Sequence, residues 1–299
     1  MSDHRSSFIH LIRHVSSTQL RADPMLQCAT STFAACFLYS IVISYLWTYT
    51  IACLCISGFF AQFLYRWIKG HDFNYWIAVQ SAFLGLVFGC SISHSLHSSA
   101  EITDPKSLFC RYIAVLAFFH YTEFLFTAIS NRRSLKIDSF LLNHSRAYWA
   151  AAVTSWLEFW MEATLFPNMK FSFASWLGVG ICIIGEIIRK VAMIQAGIGF
   201  THSLAIKKHS DHHLVTEGIY GWCRHPGYLG WFIWSISTQI VLCNPLCLGL
   251  YAFASFKFFN SRIIDEERDL LHFFGSAYEM YQNDVPTGIP WIEGYRLRR

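Results

Sequence analysis

The sequence predicts an all-α polytopic membrane protein with about eight transmembrane helices, the last two forming a short helical hairpin, and a polar cytosolic C-terminal region. Three observations lead there. The 299 residues are 54% hydrophobic and 17% aromatic but only 14% charged, where a soluble domain carries about 25% charge. Apolar runs of spanning length recur along the chain. The basic residues also sort to one side of those runs. Mean hydropathy is +0.35, which excludes a disordered chain. A net charge of +4 with no basic stripe of interleaved aromatics argues against a nucleic-acid binder. The ten cysteines form no CxxC pair, so they read as small buried hydrophobes rather than zinc or redox ligands.

A helix needs about 20 apolar residues to cross the hydrocarbon core. Residues 1–27 are polar and lack a signal-type apolar run, and they read as a cytosolic N-terminal segment. Residues 28–196 form a six-helix transmembrane region. The stretch 28–68 holds no charge before Arg66 and predicts two helices joined by a tight turn near Tyr49; further spans read as 75–93, 108–129, 147–166 and 173–196.

Residues 197–299 form the third region, with a loop, a membrane hairpin at 229–259 and a C-terminal tail. The hairpin turns at Asn244-Pro245, a turn-initiating pair. Each arm of about 15 residues is roughly 22 Å long, suited to a thinned bilayer or a re-entrant course. Residues 261–274 alternate acidic and apolar side chains at helical spacing and predict a cytosolic extension of the last helix, ended by Gly275.

Eight crossings from a cytosolic N-terminus put twenty Lys and Arg residues on the cytosolic side, Arg189 and Lys190 among them. Only Lys106, Arg111 and Lys170 fall on the other. That sorting obeys the positive-inside rule and predicts both termini in the cytosol.

Most candidate chemistry follows Ala196. His209, His212, His213, Cys223 and His225 could ligate a metal on paper, but their spacing fits no familiar zinc pattern. Walker and GxGxxG loops and a GxSxG elbow are all missing. Arg262 and Glu266 stand four apart, hence on one helix face, just beyond the membrane arm. A surface ion pair is the plain reading; the fork of an arginine also suits a carboxylate at the polar end of an amphipathic lipid. Glu123, Glu158, Glu162 and Glu186 lie inside predicted spans, a hint of function such as transport. Glu158 and Glu162 share a face and could be paired within the bundle.

Four elements occur in order: Leu214-Val215-Thr216-x-Gly218-x-Tyr220, Arg224-His225-Pro226-x-Tyr228-x-Gly230, Glu266-Glu267, and Phe273-Phe274-Gly275 followed by Val285-Pro286-Thr287-Gly288. This set resembles the isoprenylcysteine carboxyl methyltransferase family, animal members above all, over roughly residues 196–292. The resemblance implies an enzyme of the endoplasmic reticulum membrane that uses S-adenosylmethionine. It would methylate the C-terminal carboxylate of a farnesylated or geranylgeranylated cysteine in CaaX proteins, such as small GTPases, after proteolysis. The lipid bilayer would be a partner, and the spacing and charge readings above lead to the expectation of no metal and no nucleic acid.

The family's cofactor residues carry over onto His212, His213, Leu214, Val215, Tyr220, His225, Pro226, Gly227, Tyr228 and Glu266, and its substrate arginine onto Arg262. Gly227 departs from the serine that other members often have there. A membrane NADPH-dependent sterol reductase carries a related RHPxYxG element, usually in a longer chain. A phospholipid N-methyltransferase would use the same methyl donor with an amine acceptor.

Overall fold

The computed structural model describes residues 23–46, 57, 60, 64, 75–97, 104–142, 145–201 and 213–297; among these, all regular structure is helical. The helices are α1 (Pro24–Leu46), α2 (Tyr75–His97), α3 (Pro105–Ser130), α4 (Arg146–Leu165), α5 (Ser172–Ala196), α6 (Pro226–Leu242), α7 (Pro245–Phe274) and α8 (Ser276–Asp284). By length and composition alone, α1, α2 and α3 can cross a membrane. The turn expected near Tyr49 and most of the second expected span lie outside the described residues.

Proline opens four of these helices, at Pro24, Pro105, Pro226 and Pro245. Its fixed φ suits the first turn, where its missing N–H has no intrahelical acceptor anyway. Before α1, the Asp23 carboxylate accepts from Met25 N at 2.9 Å; before α3, Asp104 accepts from Lys106 N at 3.1 Å. These side chains satisfy N–H groups that the first helical turn leaves without a carbonyl.

Helix α3 is the hub of the bundle. Its Tyr112 and Phe119 pack with Phe159, Trp234, Val241 and Leu242 in one cluster. Its Ala117, Tyr121 and Phe124 pack with Ala29, Ile77 and Leu84 in another. Helices α5 and α6 cross almost backbone to backbone. A Cβ on Gly185 would stand 2.7 Å from the Gly230 carbonyl oxygen, so nothing larger fits, the small-residue contact expected of membrane helices. Leu157, Ile183, Ile187, Leu250 and Phe253 are each more than half exposed, giving α4, α5 and α7 an apolar outer face suited to lipid.

The chain reverses at Cys243 and Asn244, where α6 ends and α7 begins. Helix α6 has 17 residues, about 25 Å. Helix α7 continues unbroken for 30 residues, through the membrane arm and the polar extension, to Gly275. That glycine stops it at φ 55°, a left-handed φ that glycine adopts readily.

The acids inside the bundle are paired rather than free. Glu158 reaches from α4 to the start of α7 and accepts from Leu246 N and Cys247 N, each at 2.7 Å. A carboxylate there complements both the open N–H groups and the positive end of the helix. Lys170 is buried, with its Nζ 2.7 Å from Glu162 and donating to the carbonyls of Leu242 (3.0 Å) and Cys243 (3.2 Å) and to Asn244 Oδ1 (3.1 Å).

Glu123 is fully buried and takes Arg189 on both oxygens, at 2.6 and 2.7 Å, along with Lys190; Lys190 also meets Glu186 at 3.2 Å. Arg189, Lys190 and Lys170 are therefore internal ion-pair partners, not free charges sorted to one side of the membrane. They are buried because each has a carboxylate to neutralise it, without which burial would be too costly.

Candidate active site

The tail explains why the RHPxYxG and VPTG elements occur together. Arg224 N donates to Pro286 O at 2.8 Å, and His225 N to Thr287 O at 3.1 Å. The two motifs thus form one short backbone pairing at the mouth of α6. Gly288 sits at φ 102°, and a Cβ there would come within 2.7 Å of Cys223, so this close approach requires glycine.

Beneath that pairing lies a buried hub. Glu267, wholly enclosed, accepts from Arg224 Nε (2.8 Å), His225 Nε2 (3.1 Å), Tyr278 Oη (3.2 Å), Gln282 Nε2 (3.0 Å) and Tyr295 N (2.7 Å). Burial by itself would raise the pKa of this carboxyl, but the His225 and Arg224 contacts outweigh it and hold the pKa below its ordinary value. Arg224 spends its other donors on the carbonyls of Gln282 (3.2 Å), Val285 and Glu293 (3.0 Å). Sequence reasoning missed this hub. Arg224 and Glu267 were visible only as motif letters, and their pairing across 43 positions leaves no local signal.

Above the hub opens a polar pocket of about 150 Å³. Of the residues expected to bind cofactor, it is lined by His213, Tyr220, His225, Gly227, Tyr228 and Glu266, joined by Phe200, Asp269, Phe273 and others. Pro226 is buried at the first position of α6, directly before Gly227. Leu214 packs behind the pocket against Leu271, Tyr278 and Tyr281. Val215 is half-buried in the adjoining loop, and His212 lies outside the described residues.

The Tyr220 hydroxyl, its pKa raised first of all by burial, stays protonated and donates to Ala192 O at 3.3 Å. Burial likewise pushes the Cys223 thiol up to about 11, which makes it a poor thiolate nucleophile.

Arg262 stands outside this pocket, one helical turn before Glu266. It lines a gap of about 30 Å³ with Tyr228, Arg189, Trp231, Phe258 and others. Its Nε donates to the Tyr228 hydroxyl at 3.0 Å, and that hydroxyl donates to Glu266 Oε2. The expected pair is therefore bridged through a tyrosine, which faces both the pocket and the gap.

On the far side, Trp231 and Phe258 are shared with an apolar chamber of about 320 Å³ among α3, α4, α6 and α7, walled by Tyr112, Tyr148, Ala152, Trp234, Leu250 and Tyr251. A polar pocket, a guanidinium-lined gap and an apolar chamber thus lie in series.

Such a series gives a helical membrane protein two cavities of different character on either side of an arginine-lined gap. The comparisons narrow the class. The model of the isoprenylcysteine carboxyl methyltransferase family matches residues 177–272. The protein-S-isoprenylcysteine O-methyltransferase of Xenopus laevis is 48% identical over 224 residues, covering 75% of this chain and 76% of that one. Its Homo sapiens counterpart is 46% identical over 225 residues, covering 75% and 78%. A solved structure of the eukaryotic intramembrane Ras methyltransferase superposes with TM-score 0.82 at 42% identity, covering 90% of this chain and 98% of that one. The chain belongs to the isoprenylcysteine carboxyl methyltransferase family.

Proposed function

We propose that this chain transfers a methyl group from S-adenosylmethionine to the C-terminal carboxylate of a prenylated cysteine in CaaX proteins, small GTPases among them. It would do so as an eight-span protein of the endoplasmic reticulum membrane with both termini cytosolic. The observation that carries the reading is the Arg262–Tyr228–Glu266 relay between the polar pocket and the apolar chamber. The family relatives support the same chemistry.

The pocket residues suit the donor. It joins a cationic amino acid, a sulfonium and an aromatic base, and the pocket offers the Glu266 carboxylate together with the rings of Tyr220, Tyr228 and Phe273. Glu266 would hold the ammonium end, and His213, Tyr220, His225 and the Gly227 backbone would line the rest, with His212, Leu214, Val215 and Pro226 supporting them. Bound there, the donor supplies an electrophilic methyl group whose S–C electron pair stays with sulfur.

The acceptor needs no general base. A C-terminal carboxyl has an ordinary pKa of about 3.3–3.7, so it is ionised at neutral pH. Arg262 would grip that carboxylate as a planar fork and aim one oxygen at the pocket, so that alignment for in-line displacement is the main contribution of the protein. The apolar chamber would take the prenyl chain, where burial favours binding by roughly 0.8 kcal/mol per CH₂.

Purified protein in nanodiscs, given radiolabelled donor, should methylate an S-farnesylcysteine analogue. The product should be a base-labile ester. Label in phosphatidylethanolamine instead, or NADPH oxidation with a sterol, would assign the other two activities.

A further inference from the structure

The buried ion pair of Glu123 and Arg189 does more than balance charge. Two acids, Glu123 and Glu186, face two bases, Arg189 and Lys190, and any cation at position 189 would satisfy that count. An arginine alone can bond both oxygens of one carboxylate and still direct a further N–H in the same plane. Arg189 does so. Nε and Nη2 engage Glu123, while Nη1 donates to the carbonyl of Gly227 at 3.0 Å.

The guanidinium is also fixed from its faces, 4.8 Å from the Trp231 ring centroid and 5.5 Å from that of Phe200. Gly227 occupies the first turn of α6, directly before Tyr228, whose hydroxyl bridges Arg262 and Glu266.

We infer that Arg189, locked by Glu123, is a positioning residue for methyl transfer. It holds the first turn of α6 by the Gly227 carbonyl and so keeps the Tyr228 hydroxyl at the junction of Arg262 and Glu266. The inference rests on the methyl-transfer reading above. Arg189 also borders the gap beside Arg262, but Nε, Nη1 and Nη2 are already engaged by Glu123 and Gly227, so the effect assigned to it runs through Tyr228. A lysine at 189 keeps the charge but cannot span Glu123 and Gly227 together, and displacement of reacting groups by about 1 Å costs on the order of 100-fold in rate.

The test is a double-mutant cycle on methyl transfer to S-farnesylcysteine, with size-exclusion profile and melting temperature measured in parallel. Arg189→Lys should remain folded and lose turnover about tenfold or more, with KM for the acceptor and donor affinity shifting less than about threefold. Glu123→Asp, which keeps the charge and draws the guanidinium back, should behave alike. In a Tyr228→Phe background Arg189→Lys should cost less than about threefold, because the group it positions is gone.

A full multiplicative loss in that background overturns the inference, as does wild-type turnover in Arg189→Lys. Collapse of the folded species in both Arg189→Lys and Glu123→Asp assigns the pair to bundle stability and also overturns it. A wild-type chain that transfers no methyl removes the underlying reading, and this inference with it, an outcome distinct from the others.

Discussion

The two ends of the α6–α7 hairpin use the same materials to opposite effect. At its turn, Lys170 is surrounded by Glu162, two carbonyls and Asn244, while Glu158 caps α7. Every polar group named there faces another. At the open end, Glu267 gathers Arg224, His225 and the tail just as tightly, yet one residue earlier Glu266 turns to a cavity. Adjacent helical residues point about 100° apart, so a Glu-Glu pair can serve a structural hub with one carboxylate and a ligand with the other. A charge buried against partners on every side is structure; a charge whose relay ends at a pocket is available for chemistry.

This contrast is breakable, and the largest expected effect lies at the closed end. Lys170→Ala would leave Glu162 buried beside an unfilled space, at a cost of about 3–5 kcal/mol. Thermal unfolding should show a sharp loss, while whatever folds at low temperature keeps near wild-type KM. A large KM change would mean that the two ends are coupled.

The hub should be worth somewhat less. Glu267→Gln removes the charge from several charge-assisted bonds and should destabilise by about 1.5–3 kcal/mol at neutral pH. The pH dependence has a definite sign. The folded carboxyl titrates below its ordinary 4.5, so its stabilisation is present above that value and disappears as pH falls through the lower folded value. Wild-type and Glu267→Gln melting temperatures should therefore draw together as pH falls from neutral through the lowered folded value. A gap that stays constant throughout the acid titration of the folded protein would break this account of the hub.

Much of the fold was legible because its signals are local. Asn244-Pro245 marks the hairpin turn, Gly275 marks the end of α7, and apolar runs mark the helices. The ordered motifs also singled out His213, Tyr220, His225, Tyr228 and Glu266, and these residues line one pocket. What could not be read was the pairing of charges distant in sequence. Glu158 finds α7 after 88 positions, and Arg189 finds Glu123 across 66. The acids left transport and internal pairing both open because a sequence shows that a charge lies in an apolar run but not what faces it. Arg189, Lys190 and Lys170 entered the count of charges on the two sides of the membrane for the same reason.

Within the site, Glu266→Ala should weaken donor binding by about 1.5–3 kcal/mol, with little change in melting temperature, since this carboxylate is about one-third exposed. Unchanged donor affinity by calorimetry would detach Glu266 from the pocket's function.

The central claim is that Arg262 aligns the acceptor carboxylate. Its most direct test is turnover of Arg262→Lys, with donor affinity measured on the same protein. A point charge cannot fix both carboxylate oxygens. Turnover should therefore fall on the order of 100-fold, with donor Kd within about twofold of wild type. Near wild-type turnover would contradict the account and leave Arg262 a surface cation beside Tyr228.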